Sequence, residues 1–358
     1  MKFFLTVFIV VIVAMGIHFK KEEKQTKTGY QSAKGKKVIV TTVAGDGIGG
    51  YMNGPALYAR FYFPEDVAVT TDGTIYVSDV ANRRIRKIKD GQVSSFAGND
   101  GFEIINANGA SAQFKSPYRL ALDAHGNIYS TDENDPRSRK ITASGDVSTF
   151  AGSAAEGFAD GHVNAAKFFP GNSIAIDIHG NIYVADTKNN RIRKISVSGQ
   201  VSTIAGNGTA GCRNGNASKA QFNSPGAITI DTAGNLYVID QDNYMIRKIT
   251  ANGNVTTVAG CGKAGYKDGY ADEVKFSIDT HDIAADTQGN LYVEDGDRIR
   301  KIAPDGYVST IAGSSPGYAD GDGALARFNF PAGLGIDAND NIYVADLMNN
   351  RVRKISFE

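Results

Sequence analysis

The chain has 358 residues with 38 basic and 38 acidic side chains, and the balance is uneven along its length. Residues 1–37 carry eight lysines, no arginine and two glutamates, a net +6, which leaves 30 basic and 36 acidic residues, −6, for the rest. Nucleic acid is therefore a poor fit as a partner, because neutralising phosphates needs a basic face and the body of this chain is mildly acidic.

Taken in chain order, the first element is apolar. Lys2 precedes a fifteen-residue apolar run, FFLTVFIVVIVAMGI (3–17), followed by lysines. The run is short for a spanning helix and suits the core of an export signal. Residues 1–19 are expected to be either a signal peptide or an uncleaved membrane anchor. No cysteine stands directly after the run, so a lipid-anchored lipoprotein is not expected. Residues 20–37, KKEEKQTKTGYQSAKGKK, are expected to form a charged flexible linker, and the body, 38–358, to sit outside the cytoplasm.

From residue 38 onward one pattern repeats. Tyr-x-x-Asp occurs six times, at Tyr76, Tyr129, Tyr183, Tyr237, Tyr292 and Tyr343, with spacings of 53, 54, 54, 55 and 51. An Ala-Gly marker ends a β-rich run six times, at Gly45, Gly98, Gly152, Gly206, Gly260 and Gly313. Between residues 173 and 206 one copy reads SIAID, IHGN, IYVAD, TKNN, RIRKIS, VSGQ and VSTIAG. These are four short alternating or β-branched segments separated by turn residues. Six such units predict an all-β protein, a six-bladed β-propeller of four-stranded antiparallel blades. The last copy stops at RVRKISFE, one strand short, and a spare strand, VIVTTVAG (38–45), precedes the first. The N-terminal strand is expected to complete the last blade, closing the ring and removing a bare edge.

The copies GNIYVADTKNNRIRKI (180–195) and GYADGDGALARFNFP (317–331) resemble the NHL-repeat family, and the resemblance spans about 320 residues. It implies the six-bladed propeller. It does not imply a single activity, since the family holds enzymes, sensors and interaction scaffolds.

Naming the strands of a blade A to D from the channel outward, the A–B and C–D turns share one face and the B–C turns and D–A crossovers share the other. The A–B turns are short and uniform; the crossovers, such as 205–225 and 259–278, are long and variable. Variable loops on a rigid frame carry recognition, so the D–A/B–C face is the expected binding face. The start of each A strand meets the channel there, at Glu65-Asp66, Tyr118-Arg119, Asn172-Ser173, Gly226-Ala227, His281-Asp282 and Ala332-Gly333. Tyr244 and Met245 join the candidate binding residues because blade 4 departs from the repeat there, with DNYMIRKI for NNRIRKI. In the six-bladed lactonases that this pattern resembles, acidic and amide side chains hold a metal near such a ring. That likeness implies a calcium-like divalent cation at Glu65, Asn172 and Asp282. The amidating lyases it also resembles use several histidines, and this ring has one, His281.

Cys212 and Cys261 lie in crossovers of adjacent repeats, and an exported chain allows a disulfide between them. His125 and His179 occupy the same point of two A–B turns and are expected to be turn residues. The Tyr-x-x-Asp aspartates are expected to meet Arg84, Arg191 and Arg351 across the B–C turn as a structural contact, and the Asp-Gly pairs at Asp160, Asp268 and Asp320 are read as structural. The leading expectation is a monomeric, non-enzymatic binding module for a protein, peptide or glycan. The alternative is a metal-dependent hydrolase of lactonase type, or a lyase, at the channel mouth; a third is a sensor held at the membrane only through residues 1–19.

Overall fold

Period-two alternation inside a doubly covered sheet explains each blade. In blade 3, Ile182–Asp186 pairs antiparallel with Arg191–Ile195, from Ile182 opposite Ile195 to Asp186 opposite Arg191. Ile192 and Ile195 are an odd number of residues apart and leave opposite faces. Ile192 packs against blade 4 and Ile195 against blade 2. The structure, a computed structural model, describes residues 36–358 and resolves six antiparallel sheets. The expected export segment, 1–19, and all but the last two residues of the linker lie outside the described residues. No helix among the described residues is long and apolar enough to cross a membrane.

The ring closes as the sequence predicts. Val38–Ala44 is the outer strand of the last blade and pairs with Arg351–Phe357, from Val38 opposite Phe357 to Ala44 opposite Val352. Lys37 and Glu358 extend the ladder with two backbone hydrogen bonds, at 2.8 and 2.9 Å. In sequence the two strands lie at opposite ends of the propeller, so their pairing holds the ring shut.

Six hydrophobic clusters fill the spaces between adjacent blades. Each includes one buried phenylalanine from a D–A crossover: Phe61, Phe114, Phe168, Phe222, Phe276 or Phe328. Burying such a ring stabilises by about 1.5–3 kcal/mol. The crossovers are therefore wedges as well as loops, which the sequence reading did not foresee. Their course also departs from the expected one. In blade 1 the crossover pairs Gly54 and Pro55 with Val93 and Gln92, at the start of strand D, so it descends the outer edge to the level of the C–D turn before returning. The same two-residue fifth strand borders five of the six blades, and only blade 2 has four strands.

A buried arginine locks each crossover to its blade. Arg86, Arg139, Arg193, Arg247, Arg300 and Arg353, the second arginine of the strand-C motif in most blades, are all fully buried. Arg193 donates to Asp186 at 2.8 Å, to the Lys167 and Ala159 carbonyls, and to Asp160 at 2.6 Å. Equivalent pairs join Arg86 to Asp79, Arg247 to Asp240, Arg300 to Asp295 and Arg353 to Asp346. This corrects the expected pairing. The first arginine of the motif, at the turn, lies under a crossover aromatic instead, and the second reaches the carboxylate. The Asp-Gly aspartates have the structural role expected of them: Asp160, Asp268 and Asp320 accept from the arginine Nε of their blades and from a strand-D amide.

Candidate functional site at the channel mouth

The strand-A starts converge at the mouth of the channel, and three of the six share one kind of contact. On blades 1, 3 and 5 the second residue of the pair bonds the inner strand of the next blade. Asp66 accepts from the Leu120 amide at 2.7 Å, Ser173 from Ile228 at 3.3 Å and Asp282 from Leu334 at 2.8 Å. These side chains staple inner strands in pairs. Blade 6 makes room with a glycine, since a Cβ on Gly333 would lie 2.4 Å from Asp66 Oδ1.

Arg119 spans the mouth. It starts on strand A of blade 2, Pro117–Leu122, and donates to the Ala332 carbonyl on blade 6 at 3.0 Å and the His281 carbonyl on blade 5 at 3.1 Å. Its side chain is 3% exposed and lies 3.6 Å from Glu65 Oε1 and 4.0 Å from Asp282 Oδ2. Tyr118 stacks on the guanidinium, 4.7 Å from ring centroid to Cζ. On the inner side of Arg119 the channel encloses a cavity of about 190 Å3, and the opposite mouth opens on a second of about 260 Å3, lined by Thr70, Asp286 and Asp337 among others.

Burial dominates the electrostatics of the mouth. It pushes the Glu65 carboxyl up to about 7, with Arg119 pulling the other way. Asp66 is pushed up by burial and by the neighbouring charge of Asp282, and burial pushes up Asp282 itself. The His281 imidazole is pushed down to about 4 by burial and by Arg119, so it is neutral at pH 7. Two acids absent from the sequence reading belong to the same cluster. Burial raises both Glu133 and Glu294. Glu294 Oε2 accepts the His281 amide at 2.8 Å, whereas Glu294 Oε1, His281 Nε2 and Arg119 Nε are buried without hydrogen-bond partners. The signal for Glu294 was present in the sequence. The residue before the strand-B aspartate is Ser78, Thr131, Ala185, Ile239 or Ala345 in the other blades, and only blade 5 places a carboxylate there.

The set expected to hold a cation is brought only partly together. Asn172 turns into its own blade, donating to the Phe169 carbonyl at 2.7 Å and accepting from the Thr187 amide at 3.2 Å. Glu65 and Asp282 face the Arg119 guanidinium, so an ion between them has to share or displace that charge. Among the described residues no group of three or more His, Cys, Asp or Glu side chains is placed to hold a metal. Gly226 and Ala227 offer no polar side chain at the ring.

On the same face, Tyr244 occupies the left-handed turn position with φ of 54°, directly before Met245 at the head of strand C. Cys212 is exposed and Cys261 half-buried, and both are free thiols, so the disulfide that an exported chain would allow between their loops is not formed. The two cysteines flank one blade, in the crossovers that enter and leave blade 4, with the Met245 side chain directed toward the second of these loops. His125 and His179 are exposed on A–B turns, each turn closed by an aspartate, Asp123 or Asp177, that accepts the histidine amide.

The NHL repeat matches residues 61–88 and 328–355, which cover the inner three strands of blade 1 and most of those of blade 6. Teneurin-1 of Gallus gallus is 26% identical over 358 residues, covering 85% of this chain and 13% of its own length. The chain thus spans about an eighth of the curated relatives it matches. Two solved structures share the fold at low identity. An auxiliary nutrient binding protein from Bacteroides ovatus superposes with a TM-score of 0.68 at 16% identity, over 94% of this chain and 79% of that one. A gluconolactonase from Xanthomonas campestris does so with a TM-score of 0.59 at 10% identity, over 93% and 99%. With the repeat match, the blade architecture and the ring closure in agreement, the chain is a six-bladed β-propeller that carries NHL repeats in its first and last blades.

Proposed function

We propose that the protein is an extracytoplasmic binding module that recognises a protein, peptide or glycan through its D–A/B–C face. One observation carries this reading. Among the described residues, fourteen of sixteen exposed large hydrophobic side chains lie in D–A crossovers, and eight of these, Ile48, Tyr51, Tyr62, Phe102, Phe158, Tyr266, Ile278 and Tyr318, sit where the crossovers pass over the B–C turns. Exposed apolar groups rimmed by polar ones mark interaction surfaces. Leu57, Tyr58, Tyr270 and Leu325 lie lower, near the outer strands, and form a separate rim.

The test probes a glycan array and a displayed peptide library with the full chain. Ile48→Glu, Phe102→Glu and Ile278→Glu are each expected to abolish capture without lowering Tm, while Leu325→Glu on the rim leaves capture intact. Capture that survives the first three and is lost with the fourth overturns the choice of face. N-terminal sequencing of the exported protein separates a cleaved signal from an anchor at residues 1–19.

A second reading rests on Glu65, a carboxyl held near 7 beside Arg119 at an open mouth. A group poised there suits proton transfer in a metal-dependent hydrolase or a lyase. Its divalent ion would be held by Glu65 and Asp282, with Asn172 rotated to join them. A calcium titration that leaves Tm unchanged, with chelator equally without effect, removes this reading.

A further inference from the structure

Blade 4 breaks the repeat at three positions of one blade and its two flanking crossovers, and all three carry sulfur. In four other blades the first residue of strand C is an arginine lying under a crossover aromatic. Arg84 lies 4.2 Å from the Tyr51 ring, Arg191 4.0 Å from Phe158, Arg298 4.3 Å from Tyr266 and Arg351 3.9 Å from Tyr318. In blades 3 and 6 that arginine then continues over the glycine-rich start of the next crossover. It donates there to the Asn207 or Asp46 carbonyl, and a Cβ on Gly208 or Gly47 would fall within about 2.3 Å of its guanidinium. Aligned on the Gly-aromatic step (Gly50-Tyr51, Gly157-Phe158, Gly265-Tyr266, Gly317-Tyr318), blade 4 has Gly211-Cys212. In place of the arginine it has Met245, and in place of Asp46 or Asn207 it has Cys261.

The Met245 side chain follows the arginine's course. Its terminal methyl lies 3.1 Å from where a Cβ on Gly262 would stand, directly after Cys261. Its Sδ lies 3.9 Å from Thr257 Oγ1. The counterparts of Thr257 in blades 1 and 5, Ser95 and Thr310, bond the hydroxyls of Tyr51 and Tyr266 at 2.9 and 2.6 Å. The thioether thus enters the space that the aromatic ring fills elsewhere, and the residue at the base of that ring's position is Cys212. Thr257 Oγ1 also accepts from Asn214, two residues beyond Cys212, at 3.2 Å, which ties the first crossover to the same point. A thioether lies between two loops that each bear a free thiol, and these are the chain's only cysteines.

We propose that Cys212, Met245 and Cys261 form a binding site for one soft monovalent metal ion of the copper(I) class on the D–A/B–C face of blade 4. Thiolate and thioether donors select copper(I) over hard divalent ions, which prefer oxygen. The ion binds by displacing two thiol protons, which pass to solvent; two metal–sulfur bonds and one metal–thioether bond form, and no electron is transferred. The exposed Cys212 gives the ion access from solvent. The site is separate from the residues of the channel mouth.

The test uses the full chain, fully reduced and held anaerobically, with copper(I) titrated against bathocuproine disulfonate as the competing chelator. One ion per chain is expected, held by sulfur donors in X-ray absorption. Cys212→Ser and Cys261→Ser each abolish stoichiometric binding, and Met245→Leu weakens it at least about tenfold. Met245→Leu is expected to leave Tm unchanged, so its loss of affinity is not a loss of fold. No competition with the chelator overturns the proposal, and so does copper binding that all three substitutions leave unaltered. A calcium titration run in parallel is expected to leave this site empty.

Discussion

The inward arginine of each strand C and Arg119 at the channel mouth are all buried, and they differ in what surrounds them. The strand-C arginines recur in every blade, and each donates to backbone carbonyls of its crossover; five of the six also meet a buried carboxylate. Arg119 occurs once. It meets two carbonyls, and several acids crowd it: Glu65, Asp66, Asp282, Glu133 and Glu294. In the repeated case one arginine meets about one carboxylate and the contact fixes a crossover, although Arg86, Arg139 and Arg247 also bury an Nε without a hydrogen-bond partner. In the single case acids outnumber the cation, and three polar atoms in the cluster have no hydrogen-bond partner. A contact copied around a ring is scaffold, whereas an unbalanced one made once is where a ligand has something to complete.

Breaking the repeated contact should cost most. Arg193→Met strands the Asp186 carboxylate in a site with no solvent exposure and is expected to destabilise by about 3–5 kcal/mol, because an unpaired buried charge remains. Adding Asp186→Asn should recover part of that loss. Denaturant melts of the two variants check both values, and a loss below about 1 kcal/mol for the single change would falsify the scaffold role. Blade 2 supplies a natural control. Arg139 is equally buried but donates to the Gln113 and Ile105 carbonyls and to Asn106, all neutral. Asp132 is satisfied separately, by the amides of Lys115, Ser116 and Asn134. Arg139→Met leaves no stranded anion, so it should cost about 1–3 kcal/mol, less than the blade 3 change.

The same contrast governs what could be read in the sequence. The blades, their number and the closing strand were legible because each is written as a period: two along a strand and about 54 along the chain. The buried arginines were visible as a motif, but their partners were not. Arg191 and Arg193 are two residues apart and leave the same face of the strand, and Arg191 stands directly opposite Asp186, so spacing alone does not say that Arg193 meets the carboxylate. The phenylalanine wedges recur with the same regularity, yet a loop of 18 to 23 residues gives no sequence rule for which of its side chains turns inward. At the mouth, Arg119 and Glu65 were placed by alignment of the strand-A starts. Glu294 was not, because it comes from strand B and reaches the mouth only through the packing of blade 5. Asn172 shows the converse limit: alignment puts it at a strand-A start, but its amide bonds within its own blade.

The unbalanced cluster predicts a pH signature. Glu65 is held near 7 in the folded chain, above its unfolded value of about 4.5, and its side chain is 15% exposed. A group raised on folding stabilises in its protonated form. That contribution is complete below about pH 4.5 and is lost as pH rises through about 7. Partial solvent screening limits the loss to about 1–2 kcal/mol. Glu65→Gln should remove this part of the pH dependence between about pH 5 and 7.5. Urea melts across that window check it, and parallel curves for the two proteins would place Glu65 among the ionised groups and leave the proton-transfer reading without its acid.

The smallest effect separates scaffold from site within the ring itself. Ser173 is the neutral version of the staple that Asp66 and Asp282 make with charge, and its bond to the Ile228 amide is long, at 3.3 Å. Ser173→Ala should cost about 0.5–1 kcal/mol, the net contribution of one neutral hydrogen bond. Capture of a ligand by the D–A/B–C face should be unchanged, since the hydroxyl is 3% exposed as part of its residue and points along the inner strands. If capture fails while the melt holds, Ser173 is a contact rather than a staple. The alternation of blades 1, 3 and 5 then ceases to be a structural device, and Asp66 and Asp282 move with Ser173 from the scaffold to the site.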